Sequence, residues 1–214
     1  LASQPELRTE LQTVLARSYL GLFESERALA VAERAIKDAP INTPPERAAL
    51  RSLHMLVVEA LIRLARVDEA EQQLNSVLAD PDLGPTDPTR AAGLIAASQI
   101  AYERGQYDHA TAQARNAIAL TDQLAARADP LLVMDAHGAL GRSAGMQRDV
   151  ATSTYHAEIA YQRALEIFGG DHQNPRVLDA EQSYAASLID AARMDEAMQY
   201  LERSLASARA TYGK

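Results

Sequence analysis

Apolar residues recur every three or four positions along nearly the whole chain, which is the spacing of one face of an α-helix. No alternating run of β-branched residues bounded by turn residues interrupts the pattern, so strands are not predicted. The clearest apolar stripes comprise Leu7, Leu11, Val14, Leu15 and Leu22; Leu53, Leu56, Val57, Leu61 and Leu64; and Leu94, Ile95 and Ala101. We therefore predict an all-α fold.

Prolines and glycines divide this pattern into five blocks, because proline lacks the amide hydrogen that a helix interior requires. The breaks are Pro40–Pro45, Pro81–Pro88, Asp129–Pro130 and Gly169–Pro175. Asp87, Asp129 and Asn174 each precede a proline, which is typical of a helix start with a capping side chain. Each block contains one softer break, near Glu24, Arg66–Asp68, Gly105, Gln147–Asp149 and Arg193. Ten helices are predicted, paired as five antiparallel hairpins.

Small residues recur at matching places in the five blocks, which indicates an internal repeat. The anchors on the second helices are Ala28, Ala70, Ala110, Ala157 and Ala197. Their partners twelve residues earlier, on the first helices, are Ala16, Val58, Ser98 and Ala185. In the fourth block the partner is Gly141, sixteen residues before its anchor, which predicts four extra residues in that hairpin. Small side chains at both places let two helices cross closely.

The pattern resembles the tetratricopeptide repeat family, in which a small residue and an aromatic on the first helix are followed by two alanines on the second. The first block matches with Leu15-Ala16, Tyr19, Ala28, Ala35 and Pro40. The third has Gly105, Tyr107, Ala110 and Ala117, the fifth has Tyr184-Ala185, Ala197 and Leu201, and the second departs with Val58 and Val77. The repeat length near 40 and the stretch 161–175 are similar to the kinesin light chain type and to the tails of bacterial multidomain regulators or kinases.

The resemblance implies a right-handed superhelical array of about five hairpins, forming one domain over residues 1–214. The expected repeats cover residues 5–40, 45–80, 87–128, 130–169 and 175–212. The chain begins with Leu1, and its last residues are similar to a junction before another repeat. We therefore expect a fragment of a longer protein.

The composition excludes several classes of protein. There are 21 Lys and Arg against 29 Asp and Glu, and the net charge of −8 argues against binding nucleic acid phosphates. The chain has no cysteine, which excludes disulfides and thiolate metal sites and agrees with a cytoplasmic location. No stretch approaches the roughly 18 apolar residues of a spanning helix, so membrane insertion is not expected. The 42 alanines, with no tryptophan, predict a core of small side chains.

Two stretches imitate catalytic or metal-binding motifs without the required context. Gly141-Arg142-Ser143-Ala144-Gly145 matches the G-x-S-x-G elbow, which follows a strand, whereas this stretch lies within a predicted helix. Asp80–Gly84 is similar to the start of a calcium loop, but Ala91 stands where a bidentate Glu is needed. The histidines, which have no metal-ligating spacing, are His54, His109, His137, His156 and His172. We predict no catalytic residues, no metal and no cofactor, and a protein that is not an enzyme.

In the resembling family, the first helix of each hairpin lines a concave face, so its outward positions are the expected partner-binding residues. They are Thr13, Arg17, Leu20, Met55, Glu59, Ile62, Arg63, Ile95, Gln99, Tyr102, Glu103 and Arg142, followed by Gln182, Ile189 and Asp190. Apolar anchors beside both signs of charge suit an extended peptide or an amphipathic helix. An alternative stays open, in which Arg17, Glu59 and Arg63 pair with one another across neighbouring helices.

These observations favour a non-catalytic scaffold that binds a protein or peptide, as the interaction module of a bacterial signalling or regulatory protein. Two other functions stay open. The chain is a homo-oligomerisation module if apolar surface at the ends of the array contacts a second copy in a homodimer. It is the sensor domain of a transcriptional regulator if its groove takes a small ligand or a short peptide.

Overall fold

The computed structural model describes residues 5–39 and 43–212 and contains, within them, ten α-helices, one short 3₁₀-helix and no strand. The α-helices are α1 Pro5–Gly21, α2 Ser25–Asp38, α3 Pro44–Arg63, α4 Val67–Leu78, α5 Pro88–Glu103, α6 Tyr107–Leu124, α7 Pro130–Met146, α8 Val150–Ile167, α9 Pro175–Asp190 and α10 Met194–Tyr212. The predictions of an all-α fold and of ten helices are confirmed for the described residues. Part of the break Pro40–Pro45 lies outside them.

The helices form five antiparallel pairs that stack in a right-handed superhelix. Each odd-numbered helix packs against the helix that follows it, and each even-numbered helix packs against the first helix of the next pair. Contacts therefore run mainly between neighbours along the array, as in solenoid proteins.

Capping side chains fix the predicted starts of α5, α7 and α9. The carboxylate of Asp87 accepts the Thr89 amide at 2.8 Å, and the side chain of Asn174 accepts the Arg176 amide at 2.9 Å. Asp129 caps α7 in the same way, and each of these caps precedes a proline at the first helical position. The three predicted starts are confirmed, and their physical cause is an otherwise unsatisfied amide at the helix N-terminus.

All five hairpin turns have the same geometry. Three residues separate the paired helices in each turn, and the second of them has a positive φ between 57° and 71°. These left-handed residues are Phe23, Ala65, Gly105, Arg148 and Ala192. The next amide bonds to the carbonyl five residues earlier, as Arg66 does to Leu61 at 2.9 Å, which is the Schellman ending of a helix. The turns thus set one register for all five pairs.

Most of the small residues predicted from the repeat lie buried where paired helices cross. The buried anchors are Ala28, Ala70, Ala110 and Ala197, and their buried partners are Ala16, Val58, Ser98 and Ala185. At the crossing of α5 and α6, the Ser98 hydroxyl donates to the Ala110 carbonyl at 2.8 Å. The close crossing expected at Ala110 is therefore present.

The fourth pair corrects one prediction. The turn between α7 and α8 is as short as the other turns, so the four extra residues predicted in this hairpin are not there. A Cβ atom built on Gly141 would lie 3.3 Å from the Ser153 carbonyl oxygen and 3.0 Å from the Ala157 nitrogen. The matching anchor is thus Ser153, twelve residues after Gly141, and Ala157 lies one turn further along α8. The prediction was wrong because serine and alanine are both small enough for this place.

A buried carboxylate ties the last helix to the array. Glu181 on α9 is fully buried, and Nε of Arg203 and the hydroxyl of Ser204, both on α10, donate to it at 2.6 Å. The Tyr161 hydroxyl on α8 also donates to Glu181, at 3.3 Å, and accepts from Arg203 at 2.7 Å. These charge-assisted bonds offset the cost of burying the carboxylate and connect three helices.

The contact at Gly141 yields a test of the packing. Gly141→Ala places a methyl group 3.0 Å from backbone on α8, and overpacking of this kind costs about 1–3 kcal/mol. That cost exceeds the gain in helix propensity, which is at most about 1 kcal/mol. We expect a lower free energy of unfolding, measured by urea denaturation.

Gly138, one turn earlier on α7, is the matched control. A Cβ atom there meets only the end of the Arg142 side chain at 3.5 Å and Ala160 Cβ at 3.8 Å. Gly138→Ala should therefore leave stability unchanged or raise it by up to about 1 kcal/mol. Equal effects of the two substitutions would contradict the close crossing at Gly141.

Candidate partner-binding groove

A groove of about 320 Å³ lies where the first helices of the last three pairs converge. Its lining comes from α5, α7 and α9, with small residues of α8 behind them. The lining residues are Tyr102, Met134, Asp135, Gly138, Gly141, Arg142, Gly145, Met146, Ser153, Ala157, Ala160, Arg176, Asp179, Ala180, Ser183, Ala186, Ser187 and Asp190. The groove is bordered by charges and by two methionines and a tyrosine.

Three glycines one turn apart on α7 give the groove its depth. Gly138, Gly141 and Gly145 lie along the same side of the helix, so no side chain of theirs fills the space above it. Gly141 also faces the α8 backbone, while Gly145 faces the Ser153 hydroxyl, 3.1 Å from where a Cβ atom would be. The absence of side chains at these glycines thus allows α8 to pack closely and leaves the space of the groove unfilled.

An ion pair between two first helices crosses the groove. The guanidinium of Arg176 at the start of α9 donates to the carboxylate of Asp135 on α7. Burial raises the pKa of Asp135, although the positive charges of Arg176 and Arg142 oppose this. Glu59 on α3 raises the pKa of both Asp135 and Arg176, which shows that its charge acts on the same site. Charges on α3, α7 and α9 therefore lie close enough to influence one another.

Solved structures of two repeat proteins match nearly the whole chain. A kinesin light chain-like protein of Podosopora anserina with nearly identical TPR-like repeats shares 19% identity, with 99% of each chain covered and a TM-score of 0.60. BtubC (BKLC) from P. vanneervenii shares 17% identity, with 96% of this chain and 81% of that chain covered and a TM-score of 0.65. No protein-family model matches the sequence, and neither does any curated protein.

The chain has the tetratricopeptide-like superhelical fold. The family resemblance of the sequence, down to the kinesin light chain type, therefore agrees with the solved structures of this fold. Within residues 5–39 and 43–212, no helix combines the length and the apolar character needed to cross a lipid bilayer.

Some residues predicted to bind a partner border the groove of this superhelix. Tyr102 and Arg142 line it, as does Asp190 near the end of α9. The Tyr102 ring also packs edge-on against Tyr107, with 5.6 Å between ring centres, so its position is fixed from the side.

Two of the predicted residues cannot face a partner. Leu20 is 3% exposed and Ile95 is 6% exposed, and both belong to apolar clusters between helices. The prediction was wrong for them because packing against neighbouring helices buries these positions.

The remaining predicted residues lie away from the groove lining. Met55 and Ile62 are half-buried against the apolar cluster of the first two pairs. The Thr13 hydroxyl donates to the Thr9 carbonyl at 2.8 Å. The other residues are the half-buried Gln99 and the exposed Arg17, Glu103, Gln182 and Ile189.

Arg63 has a structural role at the contact between α1 and α3. Its guanidinium pairs with Glu59 at 2.8 Å and donates to the Leu20 carbonyl at 3.2 Å. The same group lies 5.0 Å from the centre of the Phe23 ring, within the range of a cation–π contact. Glu59 and Arg63 therefore do pair, but within one helix and not across neighbouring helices as the alternative has it.

Sequence reasoning missed the ion pair and most of the α9 lining. Asp135 and Arg176 are 41 residues apart, and nothing in a single sequence pairs them. A usable signal was present on α9, where Arg176, Asp179, Ser183 and Asp190 recur at helical spacing beside small residues.

The apparent catalytic and calcium motifs have structural roles. Ser143 is fully buried, and its hydroxyl donates to the Ala139 carbonyl at 3.0 Å inside α7. Asp80 accepts the Asp82 amide at 2.9 Å and pairs with Arg51, so the loop after α4 is held by its own contacts. Over the part of the chain that the structure describes, no group of three or more His, Asp or Glu side chains is placed to hold a metal.

Two histidines that are far apart in sequence meet between α7 and α8. The Nδ1 atoms of His137 and His156 lie 2.8 Å apart, so one ring donates a hydrogen bond to the other. Burial and the neighbouring His156 lower the pKa of His137 to about 4; Arg163 adds to this, and Asp122 opposes it. Burial also lowers the pKa of His156. Both rings are therefore neutral at about pH 7.

This pair predicts a loss of stability in acid. Between about pH 6.5 and pH 4, His137 gains a proton in the unfolded chain but not in the folded chain, so acidification favours unfolding. His137→Gln removes this linkage and retains a side chain able to bond to His156. From about pH 7 to about pH 5, the wild type should lose roughly 1–2 kcal/mol more free energy of unfolding than the variant. Urea denaturation at both pH values measures this, with His109→Gln on the exposed face of α6 as control, and parallel losses would contradict the assignment.

Proposed function

We propose that the groove between α5, α7 and α9 binds an extended peptide or an amphipathic helix of a partner protein. In this proposal the chain is a single non-enzymatic scaffold domain of a bacterial signalling or regulatory protein, located in the cytoplasm. The observation that carries the proposal is the groove itself, with its glycine floor and its border of apolar and charged side chains.

The volume of the groove indicates that its occupant is a side chain of a larger partner and not a whole small ligand. Pockets that enclose whole small ligands span roughly 300–1,000 Å³, and this groove lies at the bottom of that range. It accommodates an apolar side chain or two above Gly138 and Gly145. Such an anchor, surrounded by contacts that exclude water, is how a few residues supply most of the binding energy at protein interfaces.

The charges around the groove support a role in orientation. Asp135 and Arg176 satisfy each other, so they offer a polar rim that does not leave a buried charge unpaired when a partner covers it. Arg142 and Asp190 lie in the same lining and provide one charge of each sign. Charges of this kind set the direction of a bound peptide more than its affinity.

A test begins with peptides selected by the wild-type chain from a displayed random library. Gly138→Phe places a ring in the groove and should weaken binding of the selected peptides roughly tenfold or more, because it blocks the anchor site. Arg142→Glu should weaken the binding of peptides that carry an acidic residue. Fluorescence anisotropy of labelled peptides measures the affinities, and circular dichroism checks that each variant is folded.

Two controls match these variants. Gly138→Ala should bind as the wild type does, because its methyl group occupies little of the groove. Gln162→Phe adds the same ring to the exposed face of α8 and should have no effect. Selected peptides that bind Gly138→Phe and the wild type equally would contradict the proposal. Thermal stabilisation by small metabolites without any peptide binding would favour the sensor function in its place.

A further inference from the structure

Two imidazole rings face each other across the fourth helix pair. Nδ1 of His137 on α7 lies 2.8 Å from Nδ1 of His156 on α8, and the ring centres are 4.9 Å apart. The two residues are 19 positions apart in the chain, a spacing that matches no metal-binding motif, and the packing of α7 on α8 brings them together. Two nitrogen atoms of the kind that most often bind metals in proteins therefore meet at one place.

The hydrogen bond between the rings occupies lone pairs that a cation can also use. One Nδ1 atom donates to the other in this arrangement. A neutral imidazole binds a metal ion through the nitrogen that carries no proton. When both rings carry their proton on Nε2, the two Nδ1 lone pairs meet without a donor between them. A bound cation then takes the place of the shared proton.

The distance between the two nitrogen atoms indicates which ions fit. Two ligands at right angles, each about 2.0 Å from an ion, lie about 2.8 Å apart, whereas tetrahedral ligands at that range lie about 3.3 Å apart. The observed separation of 2.8 Å matches the first case. Square-planar geometry is preferred by Cu²⁺ and Ni²⁺, and Cu²⁺ is bound most strongly among the divalent first-row ions. The pair is thus better suited to Cu²⁺ than to Zn²⁺.

The pair is open to solvent on one side. Both histidines are half-buried, and Tyr155, whose ring lies 5.0 Å from that of His156, is 61% exposed. An ion can therefore enter without unfolding of the helix pair. The described residues place no third His, Asp or Glu side chain with the two rings as a further ligand. Water molecules complete the coordination of an ion held there.

Charges of both signs act on the rings. The negative charge of Asp122 on α6 acts on His137 and favours a cation beside it. The positive charge of Arg163 acts on the same ring in the opposite sense, and that of Arg115 acts on His156. Arg163 is paired with Glu166 at 2.8 Å, which reduces its effect. The opposing charges largely offset one another, so the placement of the two nitrogen atoms decides binding.

We propose that His137 and His156 together bind one Cu²⁺ ion through their Nδ1 atoms, with water as the remaining ligands. The ion bridges α7 and α8 and replaces the hydrogen bond between the rings. It stabilises the fold, because the unfolded chain does not hold the two rings together. Neither histidine lines the groove, so this site is separate from the proposed peptide site.

The test is a titration of the full chain, without an affinity tag, with CuCl₂ at about pH 7 in a calorimeter. His137→Gln and His156→Gln should each weaken Cu²⁺ binding at least tenfold, because one imidazole cannot chelate. A chain with both substitutions should lose little more than either variant alone. His109→Gln is the control, since this histidine is exposed and contacts Gln113 on its own helix, and it should bind Cu²⁺ as the wild type does.

Two further measurements separate this site from copper bound elsewhere on the chain. Electron paramagnetic resonance of the copper-loaded wild type should show coupling to two imidazole nitrogens, and the His137→Gln spectrum should not. The melting temperature should rise with Cu²⁺ concentration for the wild type and for His109→Gln, but not for His137→Gln. Equal Cu²⁺ affinity of the wild type and the double variant would overturn the proposal, as would binding without a rise in melting temperature. Tighter binding of Zn²⁺ than of Cu²⁺ would overturn the square-planar assignment.

Discussion

The close approach of two helix backbones at Gly141 is the constraint on which the groove depends. Because no side chain stands between α7 and α8 there, the backbone of α8 lies within van der Waals distance of where a Cβ atom would be. The same residue, with Gly138 and Gly145, leaves the space of the groove beside α7 unfilled. Tight packing inside a pair and an open face between pairs therefore have one cause, which is the absence of side chains along one stripe of α7.

The repeated register extends this constraint along the whole array. All five turns have a residue with left-handed backbone conformation at the same place, and this places each second helix in the same way against its first helix. The contacts between the second helix of one pair and the first helix of the next are more varied, since an apolar cluster, an ion pair and a hydrogen bond occur there.

Sequence reasoning predicted what local physical chemistry determines and missed what depends on distant contacts. Helix starts at Asp87 and Asn174 follow from capping and proline, and the crossing at Ala110 follows from side-chain size. The prediction of Ala157 as the anchor, in place of Ser153, was wrong because side-chain size alone does not distinguish the two residues. The prediction that Leu20 and Ile95 contact a partner was wrong because their burial depends on how the pairs stack. The Asp135–Arg176 pair forms because α9 packs against α7, and no single helix determines that contact.

If a partner binds at the open face of α7, a crystal structure of the chain with a selected peptide should show the peptide lying across α7 between Tyr102 and Asp190. An apolar side chain of the peptide should lie over Gly138. A well-ordered peptide on the outer surface of α6 or α8, with the groove filled only by solvent, would contradict this expectation.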